Sequence, residues 1–177
     1  MVAHRGASDR ALENSPAAIA LAVADGADMV EIDVRLSADG EPVVFHDART
    51  GRTSRENIPV AATSSARLRE VLLKNGEPLT FLSDALKIVN GIIPVNLHVK
   101  TAGGAAAACR TLEATGYRGE VILSSGLREE CLAARALRPD LSCGLVTGRP
   151  SASDISFCLR HSLPSIHPDF RKLSFLR

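Results

Sequence analysis

The chain has no tryptophan, a single tyrosine and five phenylalanines, so aromatic residues make up only 3% of its 177 residues. Few rings are left on which single-stranded bases could stack. An excess of charge of one sign is missing too. Against 21 Lys and Arg stand 20 Asp and Glu, and a net charge of +1 gives no electrostatic footprint for a polyanion. No nucleic acid is therefore expected as a partner. Cysteines are few: Cys109, Cys131, Cys143 and Cys158 lie far apart, with no C-x-x-C pair. That spacing excludes a zinc knuckle and a dense disulfide scaffold, and predicts reduced thiols. No apolar run approaches the roughly 18 residues of a membrane span, and the opening MVAHRG lacks the charged and apolar regions of a secretory leader. The expected location is the cytoplasm.

With 45% hydrophobic residues and 13 glycines, the chain has the composition of one globular domain, expected over residues 1–177. Short β-rich runs alternate with helical stretches. VAHR is followed by SPAAIALAVADG, MVEIDV, EPVVFHD, a helix near FLSDALKIV, IPVNLHVK, an Ala-rich stretch, EVILSS, LREECLAARAL, CGLVTG and SIHPDF. Such alternation implies parallel strands joined by helical crossovers. Ser15 and Pro16 read as the cap and first residue of a helix, and Gly26 as its left-handed end. Asp39-Gly40 reads as a tight turn, which joins the second and third strands without a helix. Residues 50–75 are polar with a weak helical segment around 66–73, and are expected to form a loop over one end of the sheet.

In VEIDV, strand alternation points Val30, Ile32 and Val34 one way and Glu31 and Asp33 the other. Two like charges on one buried face are costly unless a cation neutralises them, and hard divalent ions prefer such oxygen ligands. A strand with a solvated acidic face is the alternative reading. Other chemically competent residues also close strand-like runs: His4-Arg5, His46-Asp47 and His98-x-Lys100. Strand ends are where a β/α barrel places its active site.

These segments together resemble the glycerophosphodiester phosphodiesterase family, whose pattern runs His-Arg-Gly, Glu-Asn-Thr, Glu-x-Asp-Val, His-Asp and Glu-x-Lys. Here the corresponding stretches are HRGAS, ENSPAAIALA, GADMVEIDV, DGEPVVFHD and NLHVK, in the same order from His4 to Lys100. Weaker echoes follow in EVILSSG, RPDLSCGLV and SIHPDF. The resemblance implies an α/β fold of the TIM-type β/α barrel class. It also implies a divalent metal, Mg²⁺ or Ca²⁺, and hydrolysis of a small glycerophosphodiester to glycerol 3-phosphate and an alcohol. By the same resemblance His4 and His46 are the two catalytic histidines, and Arg5 and Lys100 face the substrate phosphate. Glu31, Asp33 and Glu13 belong to the metal site, Glu13 either as a ligand or in support of the ligands. Asp47 is either an orienting partner of His46 or a turn residue.

Two features depart from the family pattern. His98 stands where the third metal carboxylate belongs. As a ligand, its nitrogen would relatively favour Mn²⁺ or Zn²⁺; otherwise the metal site is damaged. The pattern also continues in the family beyond the segment resembling SIHPDF, through a Trp-containing strand, whereas this sequence stops at RKLSFLR. The barrel is therefore expected to be incomplete at its C-terminal end. Either the molecule is a truncated product, or its open edges are covered by a homo-oligomer or a swapped element. A degenerate member that binds a phosphate ligand without turnover is the alternative to the hydrolase. A third reading, cleavage by internal attack to a cyclic phosphate, ranks below both.

Overall fold

Alternation along one strand sets the two faces of the sheet. On β2 (Met29–Leu36) the side chains of Val30, Ile32 and Val34 are fully buried in a core that also holds Ile19, Leu82, Ala85 and Ala105 from three helices. Glu31 and Asp33 take the opposite face. The computed structural model describes residues 1–173 and extends this pattern across a seven-stranded sheet. Its other strands are β1 (Val2–His4), β3 (Pro42–Val44), β4 (Val95–Val99), β5 (Val121–Ser125), β6 (Ser142–Thr147) and β7 (Ser165–Pro168). They run parallel in the order β1-β2-β4-β5-β6-β7, and β3 pairs antiparallel with β2 beyond the Asp39-Gly40 turn. The curled sheet, with its helices packed on one face, is an incomplete TIM-type barrel. Among the described residues β1 and β7 each pair on one side alone.

The helices follow their local signals. In α1 (Pro16–Ala24) the Ser15 side chain accepts from the Ala18 N–H at 3.1 Å, Pro16 occupies the first turn, and Gly26 beyond it has φ +67°. A short α2 (Ser65–Leu68) and α3 (Leu82–Val89) come next, the latter closed by Asn90 in the left-handed region. The Ala-rich stretch forms α4 (Gly104–Thr115), whose cap position is Gly103 and has no side chain to offer. The cap comes from α5 (Arg128–Leu137). There the buried Glu130 carboxylate accepts from the N–H groups of Gly103 at 2.8 Å and Ala105 at 2.7 Å. A carboxylate at this end also opposes the helix dipole. Between β6 and β7 lies α6 (Ala152–Arg160), a helix absent from the sequence reading above. Its signal was present in Ser151 and Asp154, which form a reciprocal capping box. None of the helices among the described residues is long and apolar enough to cross a membrane.

The segment after β3 differs from a simple polar loop. Its apolar residues Val60, Leu68, Val71 and Leu73 are buried with Val43, Phe45, Leu79 and Phe81 in a second, smaller core. Single bridges pair Arg49 with Pro59, Ser54 with Leu73 and Leu72 with Pro78, and the Arg69 guanidinium lies 3.7 Å from the centre of the Phe81 ring. The low density of apolar residues hid this core in the sequence, because they are spread irregularly instead of recurring at a helical or strand period.

Glu130 offers a test of how far one borrowed cap supports the fold. Glu130→Ala leaves two helix N–H groups without their acceptor and should lower stability by about 1–3 kcal/mol, with Glu130→Gln losing less. Urea denaturation would measure both, and a Glu130→Ala midpoint equal to wild type would show the cap to be dispensable.

Candidate active site

The strand pairing gathers the predicted residues at one end of the sheet. Asp33 on β2 is in register with His98 on β4, and the row continues through Ser124, Gly144 and Ser165. Because paired positions of parallel strands face the same way, these residues share the inner face. Suitable ligand atoms of Glu31, Asp33 and His98 lie within 4.8 Å of one another. The His98 Nδ1 atom is 3.4 Å from Asp33 Oδ1 and 3.6 Å from Glu31 Oε1.

Asp33, 1% exposed, is the most enclosed acid of the group. Its Oδ2 accepts from Asn14 Nδ2 at 2.9 Å and lies 3.3 Å from Arg5 Nε. Its Oδ1 lies 3.2 Å from Lys100 Nζ, yet this buried atom receives no well-aligned hydrogen bond. A buried anionic oxygen with spare lone pairs, beside a second carboxylate and an imidazole nitrogen, fits a divalent cation with bonds of about 2.0–2.6 Å. Burial by itself would push the Asp33 carboxyl up. The contacts from His98, Lys100 and Asn14 outweigh that penalty and hold it well below the usual carboxylate range. His98 behaves in the opposite sense: burial pulls its pKa down, while Asp33 and Glu31 outweigh burial and raise it.

The loop after β1 supplies the next layer. Arg5 and Asn14 have φ of +60° and +58°, an uncommon region for side chains other than glycine. These conformations are held by hydrogen bonds to the surrounding acids and to Thr80. The Arg5 N–H donates to Glu31 Oε2 at 3.0 Å and its Nη1 donates to Glu13 Oε1 at 2.8 Å. Asn14 Oδ1 accepts from the Asp33 N–H at 3.2 Å, and its carbonyl accepts from Thr80 Oγ1 at 2.8 Å. Gly6 has φ +82°, and a Cβ there would come within 2.6 Å of the Ala18 carbonyl carbon on α1. The glycine of HRG is thus required by both backbone conformation and close approach.

His4, on the edge strand β1, has Nε2 3.8 Å from Glu31 Oε2 and a side chain 66% exposed. His46 follows β3, with Nδ1 2.6 Å from Asp47 Oδ1. A carboxylate only accepts, so the ring proton sits on Nδ1 and leaves Nε2 directed elsewhere. Glu13 lies outside the Glu31, Asp33 and His98 cluster, and its two oxygens are taken up by Arg5 and Arg52. The Arg52 hydrogen bond, more than the cost of burial, lowers its pKa.

The sequence reading missed Asn14, Arg52, Asn96 and Ser124. Asn14 adjoins Glu13 in ENS, so the motif itself was its signal. Arg52 is one of three arginines between 49 and 55, with nothing in the spacing to single it out. Asn96 and Ser124 meet across β4 and β5, where Ser124 Oγ donates to Asn96 Oδ1 at 2.8 Å.

A family model described as "Glycerophosphoryl diester phosphodiesterase family" matches residues 4–115. Over 71 residues the chain is 49% identical to a "Probable glycerophosphodiester phosphodiesterase 1" of Mycobacterium tuberculosis, a match covering 40% of this chain and 26% of that protein. The chain spans about a quarter of the length of the first curated relatives it matches. Among solved structures, an Oleispira antarctica phosphodiesterase in complex with the product sn-glycerol-3-phosphate superimposes with a TM-score of 0.88 at 27% identity, covering 94% of this chain and 73% of that one. A glycerophosphodiester phosphodiesterase from Agrobacterium tumefaciens gives 0.74 at 29% identity, covering 82% and 65%.

Gly6→Ala would force a left-handed backbone onto a β-carbon already in collision with α1. The expected loss is about 2–4 kcal/mol, read as a lowered melting temperature. A variant as stable as wild type would mean that the loop after β1, which carries Arg5, adapts freely.

Proposed function

The chain belongs to the glycerophosphoryl diester phosphodiesterase family, and from that premise we propose that it is a metal-dependent hydrolase of small glycerophosphodiesters, releasing glycerol 3-phosphate and an alcohol. The observation that carries this reading is the buried cluster of Glu31, Asp33 and His98, flanked by the cations Arg5 and Lys100 and by the His4 imidazole, with His46 close enough to act electrostatically on Asp33. A divalent cation bound by Glu31, Asp33 and His98 would act as a Lewis acid toward the phosphate. With two carboxylates and one imidazole, this donor set suits Mn²⁺ or Zn²⁺ better than a set of three carboxylates would, while Mg²⁺ and Ca²⁺ remain the family expectation.

The chain's own residues divide the remaining work. Arg5, tethered through Glu13 and Glu31, presents its guanidinium to the phosphate oxygens, and Lys100 adds a compact positive charge. Both oppose charge that builds up as the diester is attacked. Water forms the new P–O bond and the bond to the departing alcohol breaks. One of His4 and His46 takes the proton from the water, and the other returns a proton to the leaving oxygen. His46 suits such a role because Asp47 fixes its Nδ1–H and leaves Nε2 free to exchange a proton. Glu13 serves this site by holding Arg5 and Arg52, a supporting position outside the ligand cluster.

Two experiments test the reading. Purified protein should release glycerol 3-phosphate from glycerophosphocholine or glycerophosphoethanolamine with Mn²⁺, Mg²⁺, Ca²⁺ or Zn²⁺ present. His46→Ala should abolish turnover while leaving the melt cooperative; retained turnover would remove His46 from the mechanism. Metal at a hundred times its Kd should stabilise the fold by about 2.7 kcal/mol, a rise of roughly 5–10 °C for a chain of this size. His98→Glu should move that preference toward Mg²⁺ and Ca²⁺, and an unchanged order of metals would count against His98 as a ligand.

A further inference from the structure

Arg52 joins the two halves of the site. It ends a short 3-10 turn, Thr50–Arg52, and engages two carboxylates with three nitrogens. Its Nε donates to Asp47 Oδ2 at 2.5 Å, while Nη1 and Nη2 donate to Glu13 Oε2 and Oε1 at 2.8 and 2.6 Å. Each carboxylate has a second partner of its own. The other oxygen of Asp47 meets His46 Nδ1, and Glu13 Oε1 also accepts from Arg5. An unbroken chain of contacts therefore runs from His46 through Asp47, Arg52, Glu13 and Arg5 to Asp33.

An arginine whose side chain is 48% exposed would ordinarily form a weak surface pair. Three features set this one apart. The contact with Glu13 is a two-pronged fork, which fixes the guanidinium plane as well as its position. The contacts form a network instead of an isolated pair, and mutual support within networks exceeds what single pairs provide. The turn itself is anchored: Thr50 is fully buried, its N–H donates to the Ile58 carbonyl at 3.0 Å, and its Oγ1 accepts from the Ile58 N–H at 3.1 Å. Gly51 packs so closely on Asn57 that a Cβ would come within 2.7 Å of it.

Building on the hydrolase reading above, we propose that Arg52 is a positioning residue that holds Asp47 against His46, fixing the imidazole with its proton on Nδ1, and locks the segment after β3 to the loop after β1. Without the Nε donor, the Asp47 carboxylate is free to turn toward solvent. His46 then loses the partner that selects its tautomer and ring orientation. Lysine at this position keeps the charge but cannot bridge both carboxylates as a planar fork does.

The test uses Arg52→Met and Arg52→Lys in the full chain. Long-range ¹H–¹⁵N NMR on protein without metal or substrate, at about pH 8.5 where an ordinary imidazole is neutral, reads the tautomer of His46, with His46→Gln identifying its signals. Wild type should show the Nδ1–H form, and both variants should show the two tautomers averaged. In the diesterase assay kcat should fall about 10²-fold with KM unchanged, and Arg52→Lys should not restore it. Unaltered His46 signals in both variants would overturn the proposal, including the case where only the melting temperature falls, since that is what a purely structural salt bridge would do. If Arg52→Met lacks a cooperative melt, Arg52→Lys decides on the same signals. Because the NMR measurement needs no turnover, it succeeds or fails independently of the proposed reaction.

Discussion

A carboxylate shut away from water has to be neutralised by its surroundings, and Asp33 sets that requirement for the whole inner face of the sheet. Leaving such a group ionised and unpaired would cost several kcal/mol. Lys100 and His98 come to it from the end of β4, and Arg5 and Asn14 from the loop after β1. Each is held in turn by something else: Arg5 by Glu13 and Glu31, Asn14 by Thr80, His98 by the β2–β4 register, and Lys100 by its N–H, which donates to the Val34 carbonyl. The positive-φ backbone at Arg5 and Asn14 is the local strain tolerated to aim these groups at Asp33.

The two faces of the sheet have separate tasks. The outer face carries Val, Ile, Leu, Ala and buried Cys against the helices, and this apolar burial is what makes the fold. All four cysteines belong to this packing. Burial pushes their thiols up, to about 11 for Cys131, away from the thiolate form that acts as a nucleophile. The inner face carries Glu31, Asp33, Asn96, His98 and Ser124, groups that contribute little net stability. Only a rigid outer packing can hold so many polar groups at fixed separations, so stability on one face supports the candidate site on the other.

The segment between β3 and α3 links these tasks. Its own small core makes it a firm body, and from that body Arg52 reaches the loop after β1. The candidate acid–base group His46 is thus oriented from two sides. Asp47 bonds its ring, while Arg35 donates through Nε to its backbone carbonyl at 2.8 Å.

Much of this was legible in the residues alone. Period-two alternation in VEIDV gave the two faces, Ser15-Pro16 and Gly26 marked the bounds of α1, and Asp39-Gly40 marked the turn into β3, because these signals act over a few residues of backbone. The candidate residues His4, Arg5, Glu31, Asp33, His46, His98 and Lys100 were also identifiable, since they fall at the ends of strand-like runs in a recognisable order. Other features depended on pairing between distant segments. The register that sets Asp33 beside His98, the Glu130 cap on α4, the buried core after β3 and the Arg52 bridge from Asp47 to Glu13 all join residues separated in the chain. Local sequence determines strand, helix and turn through short-range sterics and hydrogen bonding. Which charges finally neutralise one another is decided only when packing brings their segments together.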